Sequence, residues 1–598
     1  MGNFSKILLV LYFLFVFCFT FQQIPASDLW WYLKDGEYIV ATTTVPKTDF
    51  YSFTARGKEL LNHEWLAEVI FYIIYALAGL KGLYLFKGLF IAFTYTLVIY
   101  YVFKKSFNIF LGLLIGLWIV FSSYPYYFFD VRPQIFTYFL ATILLMILDN
   151  KEARMKLIYL IPFMMWLWTN LHGGFILGYV LLTVYTVSFF LKREKKLAYK
   201  LLGMCLISLL LGIVNPYGWK LYTFPFRFWG NDPFRLNLVE WKPTSLSLGE
   251  EALVWALGWI AVIFFFLIYW KQIKLEHYLL FFFLTYLGIN AIRHLPVVSI
   301  LIPLILAPYL KCLVIGWEKA GTLLSILVIM LIITFKLPTV SFDNLTYENT
   351  WFPKDAVKFL KLNPLPGRMY NPYEWGGYLI WYYYPQKLVY IDGRGNTLYD
   401  KNLYMKSFSS AIGDLDVLKE YNINFALTNK YFEDRCKLFS LLKRSPHWYL
   451  LYEDEIAGIF IKNIPENQNI IEKSKEGRLK IPLTPEYLTF QADILARKGE
   501  FNEAQKFLNL VLCKQPDYPK ALLIKSYIYV KTGQEKKAFE ILLNLKKRRV
   551  KLSGLNYNLG LLWEKQGKIN LAKRCYREEL KINSNYYLAR ERLKILEK

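Results

Sequence analysis

The first half of the chain is dominated by apolar runs that recur between Lys6 and Lys336. Each run is close to the roughly 20 residues that a helix needs to cross the hydrocarbon core of a bilayer, so the pattern is typical of transmembrane helices. The chain has 598 residues, of which 55% are hydrophobic and 20% are charged. A soluble enzyme, a disordered tail protein and a coiled coil are therefore excluded.

The sequence predicts eleven transmembrane helices and one short interfacial helix at 66–78. Residues 1–22 are expected to include a retained first helix rather than a cleaved signal peptide, because the apolar run is long and no A-x-A site follows it. The predicted spans are 6–22, 82–103, 108–122, 133–149, 156–169, 174–191, 199–214, 251–270, 276–291, 296–312 and 319–337.

Lysine and arginine are concentrated in alternate loops, which predicts the orientation of the chain. The basic loops are 104–105, 151–156, 192–200, 271–274 and 311–319. Because such loops face the cytoplasm, the N-terminus is expected inside and everything after Pro338 outside. The predicted location is the cytoplasmic (inner) membrane, with the C-terminal domains extracytoplasmic (periplasmic).

The opposite loops carry polar motifs instead of lysine clusters. Polar groups at a membrane face cost free energy unless they line a cavity or pair with each other, so these loops predict a functional site on the outer face. The motifs are Ser27-Asp28-Leu29-Trp30-Trp31, Asn62-His63-Glu64-Trp65, Asp130-Val131-Arg132-Pro133, Asn170-Leu171-His172-Gly173-Gly174, Asn215-Pro216-Tyr217-Gly218-Trp219, Glu240-Trp241 and Arg293-His294-Leu295-Pro296.

The acidic residues of the first outer loop have two interpretations each. Asp28 can be a base or a metal ligand, or it can cap a predicted helix over Leu29–Val40. His63 and Glu64 can join Asp28 around one divalent cation, Mg²⁺ or Mn²⁺, or they can cap the interfacial helix. Asp35 and Glu37 are predicted to be solvated, and Asp49 is predicted to be a turn residue.

The basic residues of the outer loops also have two interpretations. Arg132, Arg293 and His294 suit a diphosphate, or they extend to lipid phosphates. His172 can contact a substrate or be a buried structural residue. The sequence contains no Walker loop, GxSxG or HExxH motif, so nucleotide hydrolysis, a nucleotide cofactor and standard protease chemistry are not expected.

The sequence predicts a transmembrane domain at 1–337, an extracytoplasmic α/β domain at 338–465 and a linker at 466–484. Alternation of helices and strands in the α/β domain favours a largely parallel sheet. Its predicted elements are a helix at Pro353–Leu362 and strands at Arg368–Tyr370, Lys387–Ile391, Asn424–Thr428, Trp448–Tyr452 and Ile456–Ile461.

Residues 485–598 contain a repeat in which Gly499, Gly533 and Gly567 are 34 residues apart. Ala504, Ala538 and Ala572 keep the same spacing, which predicts three tetratricopeptide repeats, each a helix–turn–helix unit. The repeats are expected to bind a protein partner, or to be a structural cap. From residue 466 onward the chain carries 28 Lys and Arg against 15 Asp and Glu, which favours attraction to anionic membrane lipids over nucleic acid.

The segment Asp28-Leu29-Trp30-Trp31-Tyr32-Leu33 resembles the first outer loop of the GT-C superfamily of membrane glycosyltransferases, distantly that of the oligosaccharyltransferase catalytic subunit. Two further segments match that subunit in order and place: Tyr373-Glu374-Trp375-Gly376-Gly377-Tyr378-Leu379, and the strand that ends at Asp392-Gly393-Arg394. The tandem Trp-Trp-Asp of that subunit is replaced by Tyr373-Glu374-Trp375, and the second outer loop has Asp130 but no Asp-x-Asp.

The resemblance implies a glycosyltransferase that takes its sugar from a polyprenyl-phosphate-linked or diphosphate-linked donor at the outer membrane face. Asp28 and Glu64 are the expected catalytic residues, and Asp28, His63 and Glu64 the expected metal ligands. A metal-free surface-glycan ligase or polymerase and a non-catalytic envelope scaffold are the alternatives. The expected substrate-binding residues are Arg132, His172, Glu240, Arg293, His294, Glu374, Trp375, Asp392 and Arg394.

A reporter fused after Lys598 is expected to be active only in a periplasmic form, because the basic loops place the C-terminus outside the cytoplasm. The measurement compares a reporter that works only in the periplasm with one that works only in the cytoplasm. Activity of the cytoplasmic reporter alone would show that the predicted number of spans is wrong by one.

Overall fold

The computed structural model describes residues 3–21, 27–123, 131–228, 239–244, 250–312, 351–430 and 437–597, together with 323, 326, 327 and 330. The chain is mostly helical. It divides into two compact units, Met1–Phe352 with Arg368–Ile423 and Pro353–Gly367 with Asn424–Lys598. This division passes through the segment predicted as one α/β domain, and the predicted domain boundaries stay a prediction about which parts fold on their own.

The first unit is built mostly from helices, many of which are apolar. Three-residue to eleven-residue 3-10 segments, such as Val239–Trp241 and Ile292–His294, connect several of them. The helices are Asn3–Thr20, Leu29–Thr42, Trp65–Ser106, Ile109–Ser122, Gln134–Asp149, Lys151–Leu157, Ile161–Leu171, Phe175–Leu191, Lys195–Gly212, Glu250–Ile268, Leu275–Asn290, Leu295–Leu306, Gly376–Tyr383, Lys401–Ile412 and Asp416–Glu420.

Two helical stretches in the described residues, Trp65–Ser106 and Ile292–Lys311, are long and apolar enough to cross a membrane. Five shorter helices, of 10–17 residues, are also apolar: Phe4–Thr20, Ile109–Ser122, Gln134–Asp149, Phe175–Leu191 and Trp255–Ile268. The last predicted span, 319–337, lies largely outside the described residues. The total of eleven spans therefore stays a prediction.

The predicted interfacial helix and the span that follows it form one helical run, Trp65–Ser106, with a break at Gly79. Gly79 has φ 62° and ψ −162°, a conformation that essentially only glycine adopts. The sequence therefore places the two helices correctly, and the glycine between them supplies the break.

The predicted strand Lys387–Ile391 is wrong, because only one isolated parallel bridge, Ser52 to Val389, forms there. Phe53 N donates to Val389 O at 3.1 Å, and Val389 N donates to Tyr51 O at 2.9 Å. The ladder ends because the Asn371 side chain takes the next backbone groups: its Oδ1 accepts from Tyr390 N and its Nδ2 donates to Ile391 O, both at 2.8 Å. This pairing brings Asp392-Gly393-Arg394 to the first outer loop.

The predicted parallel sheet is also wrong, because the strands Ile423–Asn429, Ala457–Lys462 and Trp448–Glu453 pair antiparallel. The last two strands are joined by a tight turn, and a parallel pair would need a crossover of a dozen or more residues. Asp454 closes this turn with a side-chain oxygen that accepts from Ile456 N and Ala457 N, both at 2.7 Å. The strand Arg368–Tyr370 and the helix Lys354–Leu362 form as predicted.

The predicted linker 466–484 is partly structured, since it contains the helix Gln468–Lys475. Asn467 is fully buried before this helix, and its Nδ2 donates to Lys462 O at 2.8 Å and to Asn424 Oδ1 at 3.0 Å. Ile471 is 2% exposed. The helix was not predicted, because the segment is polar apart from this one buried face.

Three helix pairs follow, as the 34-residue spacing predicts. Gly499, Gly533 and Gly567 each follow a first helix with φ of 85°, 77° and 72°. The three alanines of the repeat are fully buried. The assignment to the tetratricopeptide family stays a prediction. The helices are Pro485–Lys498, Phe501–Lys514, Pro519–Lys531, Glu535–Lys547, Leu555–Lys565, Ile569–Ile582 and Tyr587–Glu597.

Glu579 caps the helix Leu555–Lys565 from the neighbouring helix. Its carboxylate is fully buried and accepts from Gly554 N at 2.7 Å, Asn556 N at 3.1 Å and Tyr557 N at 3.3 Å. The first amides of a helix have no partner within the helix, and their partial positive charge favours a carboxylate. One side chain therefore fixes the start of the third helix pair.

Glu579→Ala is expected to destabilise this helix by about 2 kcal/mol, because three backbone amides, two of them buried, lose their acceptor. The measurement is hydrogen–deuterium exchange of the full chain, in which the amides of Leu555–Lys565 should exchange about 30-fold faster. The control is Glu578→Ala, whose side chain is 30% exposed and pairs with Lys546. Equal exchange rates in the two variants would contradict the capping role.

Candidate functional site

A cavity of about 690 Å³ lies within the first unit, and the outer-loop motifs converge on it. Trp375, by contrast, is fully buried and donates from Nε1 to Trp351 O at 3.0 Å, Glu374 is exposed, and Asp392 is buried beside Arg394. Of the predicted site residues, these three do not line the cavity. The predicted residues that line it are Asp28, His63, Glu64, Arg132, His172, Glu240, Arg293, His294 and Arg394.

Alternating charges cross the cavity wall from Asp28 to Arg293. Arg132 lies 3.1 Å from Asp28 Oδ2 through one nitrogen and donates to Glu240 Oε2 at 2.9 Å through another. Arg293 Nη1 donates to Glu240 Oε1 at 3.3 Å. Burial by itself raises the pKa of Glu240, but the Arg293 and Arg132 guanidinium groups outweigh this effect and lower it. Glu240 therefore stays ionised and holds both arginines.

Asp28 is not a helix cap, which corrects one of its two sequence interpretations. It precedes the helix Leu29–Thr42, but its side chain makes no capping hydrogen bond. Instead, Oδ1 accepts from Trp31 Nε1 at 3.4 Å, and the carboxylate faces Arg132. Gly393 packs directly on it, since a Cβ there would lie 2.3 Å from Asp28 Oδ1. The DGR motif is thus adjacent to the predicted catalytic acid.

Glu64 faces two histidines. Its Oε1 lies 3.4 Å from His63 Nε2 and 3.5 Å from His172 Nε2. Glu64 also makes no capping hydrogen bond with its side chain. Burial by itself raises the pKa of Glu64, but His63, His172 and the Tyr32 hydroxyl outweigh it and lower the pKa to about 2. The carboxylate is therefore ionised at neutral pH.

Two outer motifs interlock beside Glu64. Trp65 Nε1 donates to Asn170 Oδ1 at 3.0 Å, and Asn170 Nδ2 donates to Trp166 O at 2.8 Å. This contact ties the start of the helix Trp65–Ser106 to the end of the helix Ile161–Leu171. Burial lowers the pKa of His172 to about 4, so the ring is neutral at neutral pH.

Trp241 forms an aromatic wall next to the arginines. The Arg293 guanidinium carbon lies 4.1 Å from the centre of the Trp241 ring, and the His294 ring meets the same ring edge-on at 6.3 Å. His294 Nδ1 donates to Leu287 O at 3.1 Å. Stacking and ion pairing together hold Arg293 in one position.

Arg394 joins the first outer loop to the later DGR segment. Its guanidinium lies 2.7 Å from Asp49 and 2.7 Å from Asp392, and it is 3% exposed. Asp49 is a turn residue, as predicted, because it accepts from Tyr51 N and Ser52 N, at 3.2 Å and 3.1 Å. The turn carboxylate therefore also fixes Arg394.

The prediction that Asp35 is solvated is wrong, because Asp35 is fully buried and lines the cavity. Asn62 Nδ2 donates to Asp35 Oδ2 at 3.3 Å and to Glu68 Oε2 at 2.6 Å. Burial, ahead of the opposing Arg394 charge, raises the pKa of Asp35 to about 6. Glu37 is 38% exposed and pairs with Lys34, as its predicted solvated position implies.

In the described part of the chain, the predicted metal ligands do not all face one another, and cation binding by them stays a prediction. No group of three or more His, Cys, Asp and Glu side chains there is arranged to hold an ion. Asp28 pairs with Arg132, whereas Glu64 faces His63 and His172, so the two carboxylates have different cationic or imidazole partners. Asp130 of the second outer loop lies outside the described residues.

Sequence reasoning missed the cavity residues that lie inside helices. Thr137 and Tyr138 follow Arg132-Pro133 by about one helical turn. This spacing is the one sequence feature that could have predicted them on the same face as Arg132. The apolar side of the cavity was also missed, because its residues belong to predicted spans. These residues are Ile176, Leu177, Val180, Phe283, Leu287 and Val297.

No family model matches the sequence, and no curated protein matches it. Among solved structures, the chain is similar to the crystal structure of ArnT from Cupriavidus metallidurans bound to undecaprenyl phosphate. The two chains are 12% identical, the match covers 78% of this chain and 99% of that chain, and the TM-score is 0.45. A likeness this distant assigns no function to the chain.

Gly393→Ala is expected to destabilise the first unit by about 1–3 kcal/mol, because the added methyl overlaps the Asp28 carboxylate. The measurement is the melting temperature of the full chain in detergent. The control is Gly203→Ala, since a Cβ at Gly203 meets nothing within 4 Å. An unchanged melting temperature for Gly393→Ala would contradict the close packing on Asp28.

Proposed function

We propose that the chain is a membrane glycosyltransferase that transfers a sugar or glycan from a polyprenyl-phosphate-linked or diphosphate-linked donor to an acceptor on the outer face of the cytoplasmic membrane. The observation that carries this proposal is the cavity in which Asp28, Arg132, Glu240 and Arg293 alternate in charge. A glycosyl transfer needs both a proton acceptor and groups that stabilise a leaving phosphate, and this row contains both.

The shape of the cavity supports an amphipathic donor. One side carries the charged residues, and the other side is formed by apolar residues of the helices Phe175–Leu191 and Leu275–Asn290. Tyr286, which lines the cavity, is 62% exposed, so the apolar side reaches the surface that the predicted topology gives to lipid. A polyprenyl phosphate has a matching charged head and apolar chain.

The proposed reaction is a single displacement with inversion. The acceptor oxygen attacks the anomeric carbon of the donor while the Asp28 carboxylate accepts the proton of that oxygen. The bond between the anomeric carbon and the phosphate oxygen breaks, and the polyprenyl phosphate leaves with the bonding electrons. Arg132 and Arg293 stabilise its negative charge through guanidinium–phosphate contacts.

The remaining groups of the cavity have supporting roles in this proposal. Glu240 holds the two arginines, and Glu64, which stays ionised, orients His63 and His172 toward the substrate. Trp241 offers a flat apolar surface for a sugar ring. The helix pairs of residues 485–598 are proposed to bind a protein partner.

Asp28→Asn is expected to lower transfer by about 100-fold or more, because the amide keeps the shape of the side chain but cannot accept the proton. The measurement is transfer from polyprenyl-phosphate-linked sugars by the full chain in lipid nanodiscs. The matched control is Glu37→Gln in the helix that follows Asp28, because the Glu37 side chain is 38% exposed and pairs with Lys34. Arg293→Ala should act differently and mainly raise the KM for the donor.

Transfer at the wild-type rate by Asp28→Asn would overturn this mechanism. No transfer by the wild-type chain in the same assay would instead favour the non-catalytic scaffold.

A further inference from the structure

His172 lies in the cavity wall with both ring nitrogens engaged. On one side, Nδ1 lies 3.0 Å from the backbone nitrogen of Gly174 and 2.8 Å from Thr137 Oγ1. On the other side, Nε2 lies 3.5 Å from Glu64 Oε1. The partners of Nδ1 therefore decide which nitrogen carries the ring proton.

Thr137 has only one hydroxyl proton, and its neighbours determine where that proton goes. Trp168 is fully buried, and its Nε1, which can only donate, lies 2.8 Å from Thr137 Oγ1. The Thr137 oxygen therefore accepts from Trp168, and its second lone pair and its proton remain available to His172 Nδ1. The direction of the hydrogen bond between Thr137 and His172 follows from the other partner of Nδ1.

Gly174 supplies the second donor to the same nitrogen. Its backbone N–H donates to His172 Nδ1, so Nδ1 carries no proton and Thr137 Oγ1 donates to the same nitrogen. A side chain cannot replace this glycine, since a Cβ would lie 2.5 Å from Thr137 Oγ1 and 2.8 Å from His172 Nδ1. The second glycine of the Asn170–Gly174 motif is thus required for the close approach of Thr137 and His172.

We propose that Thr137 is a positioning residue that holds His172 with its proton on Nε2, so that the imidazole donates a hydrogen bond into the cavity and toward Glu64. His172 then recognises an oxygen acceptor, which is a carboxylate, a sugar hydroxyl or a phosphate oxygen, and is not the base that takes up the reacting proton. The class of substrate in this inference rests on the proposed glycosyltransferase function, whereas the assignment of the ring proton to Nε2 does not.

The first measurement is ¹⁵N NMR of the full chain labelled at histidine, in nanodiscs at pH 7. His172→Gln identifies the His172 signals by difference among the five histidines. The expected spectrum shows an unprotonated Nδ1 and a protonated Nε2. A proton on Nδ1 would overturn the proposal, whether or not the chain transfers sugar.

The second measurement compares Thr137→Val, Thr137→Ser and the control Thr142→Val. Thr142 lies in the same helix, and its hydroxyl donates to Tyr138 O rather than to a ring. Thr137→Val is expected to lose the single His172 state and to lower kcat by about 10- to 100-fold at unchanged donor KM, because a misplaced group costs rate. Thr137→Ser should restore both properties, and Thr142→Val should change neither.

The outcomes separate this inference from the proposed function. A single unchanged His172 state in Thr137→Val, or an unchanged kcat beside a working wild type, would overturn the positioning role. If the wild-type chain shows no transfer at all, the NMR comparison of Thr137→Val with Thr137→Ser still decides the role of Thr137.

Discussion

The site depends on the two ion pairs that the Arg132 guanidinium makes. It contacts Asp28 at 3.1 Å and Glu240 at 2.9 Å, and all three side chains are less than one-fifth exposed. Removing a charge from water costs several kcal/mol unless a partner compensates it, so none of these groups is stable there alone. Arg132 lies just before the helix Gln134–Asp149, and Asp28 lies just before the helix Leu29–Thr42. Glu240 lies in the 3-10 segment Val239–Trp241. One ion-paired group therefore fixes the relative positions of three segments that are far apart in sequence.

A second buried arginine does the same for the outer segments. Arg394 pairs with Asp49 of the first outer loop and with Asp392 of its own turn. Gly393, which lies between Asp392 and Arg394 in the sequence, packs against Asp28. The single bridge at Ser52 and Val389 adds a backbone tie at the same place. The shape of the cavity thus follows from charge pairing at its polar end and from apolar helices at the other. This arrangement explains why the polar motifs of the sequence occupy one set of loops.

Much of the site could be predicted from the sequence because charges in apolar surroundings must have partners. His63, Glu64, Arg132, His172 and Arg293 stand out in loops between apolar runs, and the cavity gathers them. Their pairing could not be predicted, because it depends on side-chain distances that no spacing encodes. For that reason Asp28 and Glu64 were expected to share a cation, whereas they face different partners. The role of Thr137 could not be predicted for the same reason. A threonine inside a predicted span is distinguished from others only by its neighbours in the fold, which here are Trp168 and His172.

The fold outside the apolar helices shows the same limit. The 34-residue glycine spacing predicts the helix pairs, because each glycine adopts a left-handed conformation that few other residues tolerate. The direction of the strands was mispredicted, since it depends on the turn at Asp454 rather than on strand composition. Asp35 was expected in solvent as a charged residue of the helix that follows Asp28, but Asn62 contacts it and it is fully buried.

In the proposed function, the charged end of the cavity binds the phosphate of a polyprenyl donor. The most direct test is cryo-electron microscopy of the full chain in nanodiscs that contain undecaprenyl phosphate. We expect density for the phosphate in contact with Arg132 and Arg293, with the isoprenoid chain along the apolar side of the cavity. A cavity without lipid density in a well-resolved map, or a phosphate bound away from both arginines, would contradict it.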